Sequence, residues 1–284
     1  MQKNKIGIGI ITCNRPEYFK QCYKSIDKSK VHEIVIVNDG KPLPKDIEIG
    51  SEDCFIQNEH NLGVSKTKNK ALKHLLDANC EHIFILEDDC VIQDNAVWNR
   101  YIEAYNTTNI PHFNYGPASP WNRQQERQDI VGDLTRRHLA KQDTPPIPKL
   151  TVQYNENFAL TFYTHIVAMF TYFHRSILEE VGLLDEGFYN AWEHVEHTYR
   201  IIKKEKYSPF WWFADIHGSE VYIKEAKDEK ANSSLAKNEE QFFKQTHEGL
   251  KHFYTLHNTV PSHIYPANQE QVINFLRKIK NEPK

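Results

Sequence analysis

A run of apolar residues that stops abruptly at three acids constrains this chain more than any other feature. From His82 to Ile92 it reads H-I-F-I-L-E-D-D-C-V-I. Four successive apolar residues, two of them β-branched, fit a strand buried on both faces. Three carboxylates cannot ionise inside such a layer, because unpaired buried charge costs several kcal/mol. Glu87, Asp88 and Asp89 are therefore expected at the strand's mouth, facing water, a cation or a partner. Carboxylate oxygens suit a hard divalent cation such as Mg2+ or Mn2+. Taken alone, such a triplet is more often a solvated acidic turn, so the rest of the chain has to decide.

The flanking pattern repeats the theme. Ile6 to Ile11 is a β-type run that ends at Thr12-Cys13-Asn14-Arg15-Pro16, where Asn14 and Pro16 signal a turn and a helix start. Phe19, Cys22, Tyr23 and Ile26 then fall at helical spacing. His32 to Val37 is a second strand ending at Asn38-Asp39-Gly40, and Cys54 to Gln57 a short third one. After the turn Asn61-Leu62-Gly63, Val64 to Leu76 predicts a helix. Strand alternating with helix describes a mostly parallel α/β sheet with crossover helices. Ligands of such sheets bind outside the carboxyl ends of the strands. Thr12 to Arg15, Asn38-Asp39 and Glu87 to Asp89 all belong to that edge.

Beyond the triplet, Asn95 to Tyr105 predicts a helix, and the proline-bearing stretch 107–150 reads as irregular. Leu160 to Phe173 returns to strand chemistry, His174 to Val181 is a short helix stopped by Gly182, and Trp192 to Lys204 is another. A strand is expected near Phe213. From about Lys237 the tail reads as helical, with Phe242, Phe243, Leu250, Phe253 and Tyr254 as its apolar face.

Composition excludes some functions. A net charge of −3 with interleaved lysines and acids gives no case for nucleic acid. No apolar run approaches the roughly 18 residues of a membrane span, though peripheral association stays open. The opening M-Q-K-N-K lacks the pattern of a secretory signal. Five cysteines without a C-x-x-C pair suit reduced thiols in a cytoplasmic protein.

In this order, I-I-T-C-N-R-P, I-V-I-V-N-D-G, N-L-G-V-S-K-T-K-N-K-A-L, I-F-I-L-E-D-D and G-L-L-D-E-G-F-Y-N-A-W-E-H-V-E resemble the nucleotide-sugar glycosyltransferases of the GT-A fold, family 2 group. The resemblance is close over 6–92 and looser over 160–220. It implies a Rossmann-like domain over 1–236, with a nucleotide-sugar half (1–106) and an acceptor half (107–236). A helical extension over 237–284 would pack on the same domain.

The resemblance also implies roles. Thr12, Asn14, Arg15 and Asp39 would hold the nucleoside. Asn61, Gly63, Lys68 and Asn69 would lie beside the nucleotide, with Lys68 in place of the usual arginine and without its bidentate fork. Glu87-Asp88-Asp89 matches the D-x-D motif. There Asp89 would ligate Mn2+ or Mg2+, while Glu87 and Asp88 contact ribose or metal-bound water. His217 is the candidate second metal ligand, with Asp215 a weaker substitute. The family's catalytic base is an aspartate of G-E-D-V-D/E, whereas this chain has Glu193-His194-Val195-Glu196. Either His194 or Glu193 is the base, or the proton goes elsewhere. On a helix, Glu193 and Glu196 are three apart, as are His194 and His197, so the two pairs point in different directions. Tyr189, Trp192, Trp121 and Trp211 could face sugars, although core packing suits Trp211 and Trp212 better.

The expected activity is transfer of a sugar, hexosyl or N-acetylhexosaminyl, from a nucleotide diphosphate donor such as a UDP-sugar. The acceptor would be a hydroxyl on a glycan or glycolipid, in surface polysaccharide synthesis. The alternative is a non-catalytic nucleotide-sugar or carbohydrate-binding module on a decayed transferase scaffold. A phosphotransfer receiver wants an acidic pair after the first strand, and a sugar nucleotidyltransferase wants a Gly-rich basic loop there. Thr12-Cys13-Asn14 supplies neither.

Overall fold

The computed structural model describes residues 5–119, 122, 146–204, 213–226, 239–261 and 268–281. Its elements run β1 (Ile6–Thr12), α1 (Pro16–Lys24), β2 (Glu33–Asn38), β3 (Cys54–Gln57), α2 (Val64–Asp77), β4 (His82–Glu87), β5 (Cys90–Ile92), α3 (Val97–Thr108) and β6 (His112–Asn114). There follow β7 (Leu150–Asn155), β8 (Phe158–Tyr163), β9 (Phe170–His174), α4 (Arg175–Val181), α5 (Glu193–Ile202), β10 (Phe213–Ile216), β11 (Ile223–Glu225), α6 (Glu239–His257) and α7 (Gln269–Asn281).

The central sheet has the order β3-β2-β1-β4-β9-β6. Its first four strands are parallel, and β9 and β6 each run antiparallel to the neighbour before them. Side chains on β1 and β4 alternate between two buried faces, as a parallel sheet covered on both sides requires. Ile8, Ile10, Phe84 and Leu86 join Phe19, Trp98, Tyr101 and α7's Val272 and Leu276 on one face. Ile11, Ile83 and Ile85 join Ala71, Leu72 and Leu75 of α2 on the other. Helix α2 sits close on β1 because Gly7 and Gly9 carry no side chain. A Cβ at Gly9 would lie 2.9 Å from Ala71 Cβ, and one at Gly7 would lie 2.8 Å from Leu75 Cδ2. Among the described residues, no helix is long and apolar enough to cross a membrane.

Several expectations change. Leu160 to Phe173 is two strands, not one. β8 belongs to a three-stranded antiparallel sheet (β10-β8-β7), whereas β9 enters the central sheet. A continuous apolar run cannot show where the chain leaves one sheet for another, because both sites are buried. The stretch expected to be irregular contributes β6, the sheet's edge strand, and its segment 123–145 lies outside the described residues. Trp121, Trp211 and Trp212 are outside them too. In α6, Phe253 is buried, but Phe243 and Tyr254 are 48% and 52% exposed, so the apolar face is narrower than the aromatic count implied.

β6 also carries a buried neutral histidine. His112 bonds the Tyr172 carbonyl through Nδ1 at 3.0 Å, and Nε2 accepts from Asn114 Nδ2 at 3.1 Å. Burial pushes its pKa down to about 4. Protons therefore bind the unfolded chain first, and the stability this neutral ring carries above an ordinary imidazole's value is lost as pH falls to about 4. Over that window the loss is about 3 kcal/mol. Asp215, pushed up to about 7 by burial, acts in the opposite sense. The His112→Asn variant isolates the effect: its stability deficit against wild type should shrink as pH falls from 7 to 4 in urea melts. A deficit constant with pH would contradict a neutral buried ring.

Candidate active site at the carboxyl edge of the sheet

Strand register lines the polar residues up. Thr12 pairs with Asn38, Asn38 with Gln57, and Glu87 lies beside Ile11, so the last residues of β1 to β4 form one row. Asn14, in the left-handed region at φ 57°, turns the chain out of β1 and accepts the Lys41 N–H through Oδ1 at 2.8 Å. That contact ties together the loops that follow β1 and β2.

The acidic triplet is not uniformly turned outward. Glu87 is partly exposed, but Asp88 is fully buried. Its Oδ2 accepts Thr12 Oγ1 at 2.8 Å, and its Oδ1 pairs closely with Arg15. Arg15 also donates to Asp89 Oδ2 at 3.0 Å. Burial raises the Asp88 carboxyl to about 7 although Arg15 opposes it, and Asp89 is raised for the same leading reason. The partner that lets Asp88 lie inside is an arginine 73 positions earlier in the chain. Asp89 Oδ1 is buried and has no hydrogen-bond partner. That orphaned carboxylate oxygen fits a cation ligand. Among the described residues no three His, Cys, Asp or Glu side chains gather as a metal cage. The arrangement thus suits a cation that keeps phosphate and water in its shell, as Mg2+ does.

Asp39 organises the next loop. Its Oδ1 accepts Asn58 Nδ2 at 2.7 Å and the Leu62 N–H at 2.8 Å, and its Oδ2 accepts the Gly63 N–H at 2.9 Å. Three protein donors leave it little capacity for a nucleoside, and its visible work is to shape 58–63. Gly63 has φ 86°, and a Cβ there would lie 2.5 Å from the Tyr189 carbonyl oxygen, so only glycine lets the two loops meet. The exposed Tyr189 hydroxyl donates to Asn61 Oδ1 at 2.5 Å. Asn69 brackets Leu184, donating to its carbonyl and accepting its N–H at 2.9 and 3.0 Å.

Lys68 joins the two halves of the site. The ammonium lies on the buried face of α2, 2.8 Å from Glu87 Oε1 and 2.9 Å from Glu193 Oε1. Burial works against its charge, but the two carboxylates outweigh that and raise its pKa above the ordinary lysine value. Glu193 shows the mirror image. Burial alone would raise it, yet Lys68 and then His194 hold it well below the carboxylate range. His194 Nδ1 lies 3.1 Å from Glu193 Oε1. A carboxylate that accepts at Nδ1 keeps the proton there and leaves Nε2 as the basic nitrogen. Glu196, one turn on, faces away to Arg200 and His257, and His197 Nε2 bonds the Gly182 carbonyl. The pairs diverge as their spacing requires.

His217 is exposed at the end of β10, with its N–H on the Ala159 carbonyl at 3.0 Å. Asp215 is fully buried and accepts four donors: Tyr101 Oη, Ser219 Oγ and the Gly116 and Ile216 N–H groups. It is a structural anchor. Trp192 is also mostly buried, in a cluster with Phe188, Tyr199 and Phe253. Two roles escaped sequence reasoning: Arg15 as counter-ion of the acids, and Lys68 as a bridge. A signal for the second existed, since Lys68 sits among Ser65, Ala71, Leu72 and Leu75 on the apolar face of α2.

The family model described as Glycosyl transferase family 2 matches residues 8–182. Among solved structures, the chain is similar to the mannosyltransferase PcManGT from Pyrobaculum calidifontis in complex with GDP-Man and Mn2+. The TM-score is 0.50 at 12% identity, over 85% of this chain and 62% of that one. It is similar to S. aureus TarS 1-349 in complex with UDP-GlcNAc (TM-score 0.51, 14% identity, 98% and 72% covered). It is also similar to GalNAc-T7 with UDP, GalNAc and Mn2+ (TM-score 0.52, 11% identity, 99% and 55% covered). The chain thus spans less than two thirds of the mannosyltransferase and of GalNAc-T7. At these identities the likeness is one of fold, and the architecture is GT-A. No curated protein matches the chain.

Proposed function

Because the chain belongs to glycosyl transferase family 2, we propose that it moves a sugar from a nucleotide diphosphate sugar to a hydroxyl of a glycan or glycolipid acceptor. A UDP-linked donor and a place in surface polysaccharide synthesis complete the reading. It draws support from the nucleotide sugars and Mn2+ named with the similar structures. The observation that carries it is the continuous bridge Glu87–Lys68–Glu193–His194. It connects the acid beside the donor edge to an imidazole oriented as a base.

In this reading Thr12, Asn14, Arg15 and Asp39 shape the nucleoside pocket, with Asn61 and Gly63 forming its far wall. Glu87 serves the ribose side, while Asp88, enclosed by Thr12 and Arg15, holds Arg15 beside Asp89. Asp89 offers Oδ1 to Mn2+ or Mg2+, and His217 is the second protein ligand. When bound, such a cation stabilises the negative charge that develops on the leaving diphosphate. His194 Nε2 takes the acceptor hydroxyl's proton while Glu193 holds the ring and stabilises the imidazolium. Glu193 itself is a weak base, because Lys68 keeps it anionic.

Asp89→Ala should lower Mn2+-dependent transfer by about 100-fold or more, since the cation's contribution amounts to several kcal/mol. His217→Ala should weaken Mn2+ binding in a titration without substrate. Turnover that needs no metal and ignores Asp89→Ala would sink the mechanism. Nucleotide-sugar binding by calorimetry without turnover on a glycan panel would instead favour the non-catalytic binding module.

A further inference from the structure

The start of α5 accepts two local costs at a single contact. Trp192, the residue just before Glu193, lies in the left-handed region at φ 74°. For a bulky non-glycine residue that conformation is strained. Opposite it, Gly249 interrupts the middle of α6, where alanine is the better helix former. The two residues fit each other. A Cβ at Gly249 would lie 2.8 Å from Trp192 Cδ1 and 2.9 Å from the Ala191 carbonyl oxygen. The indole Nε1–H donates to the Thr246 carbonyl at 3.0 Å, and Asn190 donates to Gln245 at 2.7 Å. The carbonyl of Trp192 then receives the first helical bond of α5, from the Glu196 N–H at 2.8 Å. The backbone angle at Trp192 therefore sets the direction in which the next two side chains, Glu193 and His194, leave the helix. Both α5 and α6 lie beyond the residues matched by the family model, which end at 182.

We propose that α6 is a positioning element of the active site. Through Gly249 and Thr246 it locks Trp192 in the left-handed conformation that aims Glu193 at Lys68 and His194 at the acceptor. Trp192 is a positioning residue and touches no substrate. The inference rests on the transferase reading for its kinetic consequence and on the coordinates alone for its structural one.

Gly249→Val, with the exposed neighbour Glu248→Val as control, tests it. A misplacement near 1 Å at the reacting groups costs about 100-fold, so kcat should fall by about that factor in Gly249→Val. Donor KM should stay within about twofold, since the nucleotide edge is built by β1, β2 and β4 and uniform binding is untouched. Glu248→Val should leave both constants as in wild type. Trp192→Phe keeps an aromatic ring but loses the bond to Thr246, and should lower kcat by about 2- to 10-fold with the same KM. Hydrogen exchange at the amides of 193–196 should accelerate in both variants. If Gly249→Val does not fold, Trp192→Phe decides. Unchanged kcat with unchanged exchange overturns the proposal. So does a parallel loss in kcat and donor affinity, which would mark general destabilisation. If wild-type protein turns over no nucleotide sugar at all, the transferase reading fails. The exchange rates then judge the positioning claim by themselves.

Discussion

Replacing Lys68 with methionine is expected to destabilise the protein by about 3–5 kcal/mol, the usual cost of leaving one member of a buried ion pair alone. Glu193 would carry that cost. Its side chain is 3% exposed and is held well below the carboxylate range by burial-opposing contacts from Lys68 and then His194. Glu87, with a side chain 29% exposed, can turn to water instead. In a domain of this size the loss should appear as a melting point lower by about 6–15 °C. Adding Glu193→Gln removes the orphaned charge, so the double variant should melt above Lys68→Met alone. That non-additivity is the signature of direct coupling. A purely additive pair would mean that Lys68 acts through Glu87 or through packing. Donor binding should survive in the double variant while transfer does not, because the chain from Glu87 to His194 is cut.

The second large effect is chemical. His194→Ala should lower kcat for transfer by about 100- to 10,000-fold, the range of a positioned general base. Binding of a nucleotide sugar should be unaffected, since the role proposed for His194 is toward the acceptor. Glu193→Gln keeps the imidazole but weakens its tether, and should give a smaller loss. The ranking separates the two candidates: a greater loss in Glu193→Gln than in His194→Ala would return the base role to the carboxylate. Rate measurements with saturating donor and a calorimetric donor affinity are enough to read both. A carboxylate bonded to a buried ammonium has little affinity for a further proton, whereas an imidazole bonded through Nδ1 has a free nitrogen.

Much of the frame was readable from residue pattern alone. The runs Ile6–Ile11, His32–Val37 and Ile83–Leu86 mark three of the parallel strands because strands buried on both faces need unbroken apolar stretches. Pro16, Gly63 and Gly182 mark boundaries through backbone constraints that act within a few residues. The carboxyl edge follows from strand direction, and strand direction alone groups Thr12, Asn38, Asp39 and Glu87 there. What stayed hidden was pairing over distance. Nothing local in Asp88 says that Arg15 and Thr12 will enclose it, 73 and 76 positions away. The division of 160–173 between two sheets was hidden for the same reason, because local hydrophobicity does not name the partner strand.

Taken by itself, the sequence determined the layer architecture, the edge at which polar residues collect, and the residue types available there. Periodicity and turn chemistry are local, and local rules suffice for them. The tertiary structure alone decided what each charge does. It turned Asp88 inward against Arg15, spent Asp39 on its own loop and sealed Asp215 among four donors. It also made Lys68 the link between Glu87 and Glu193, which lie 19 and 125 positions after it in the chain. The energy of a charge is set by the dielectric and the partners around it. Those partners come together only when α2, β4 and α5 are packed on one another, which no stretch of residues specifies alone.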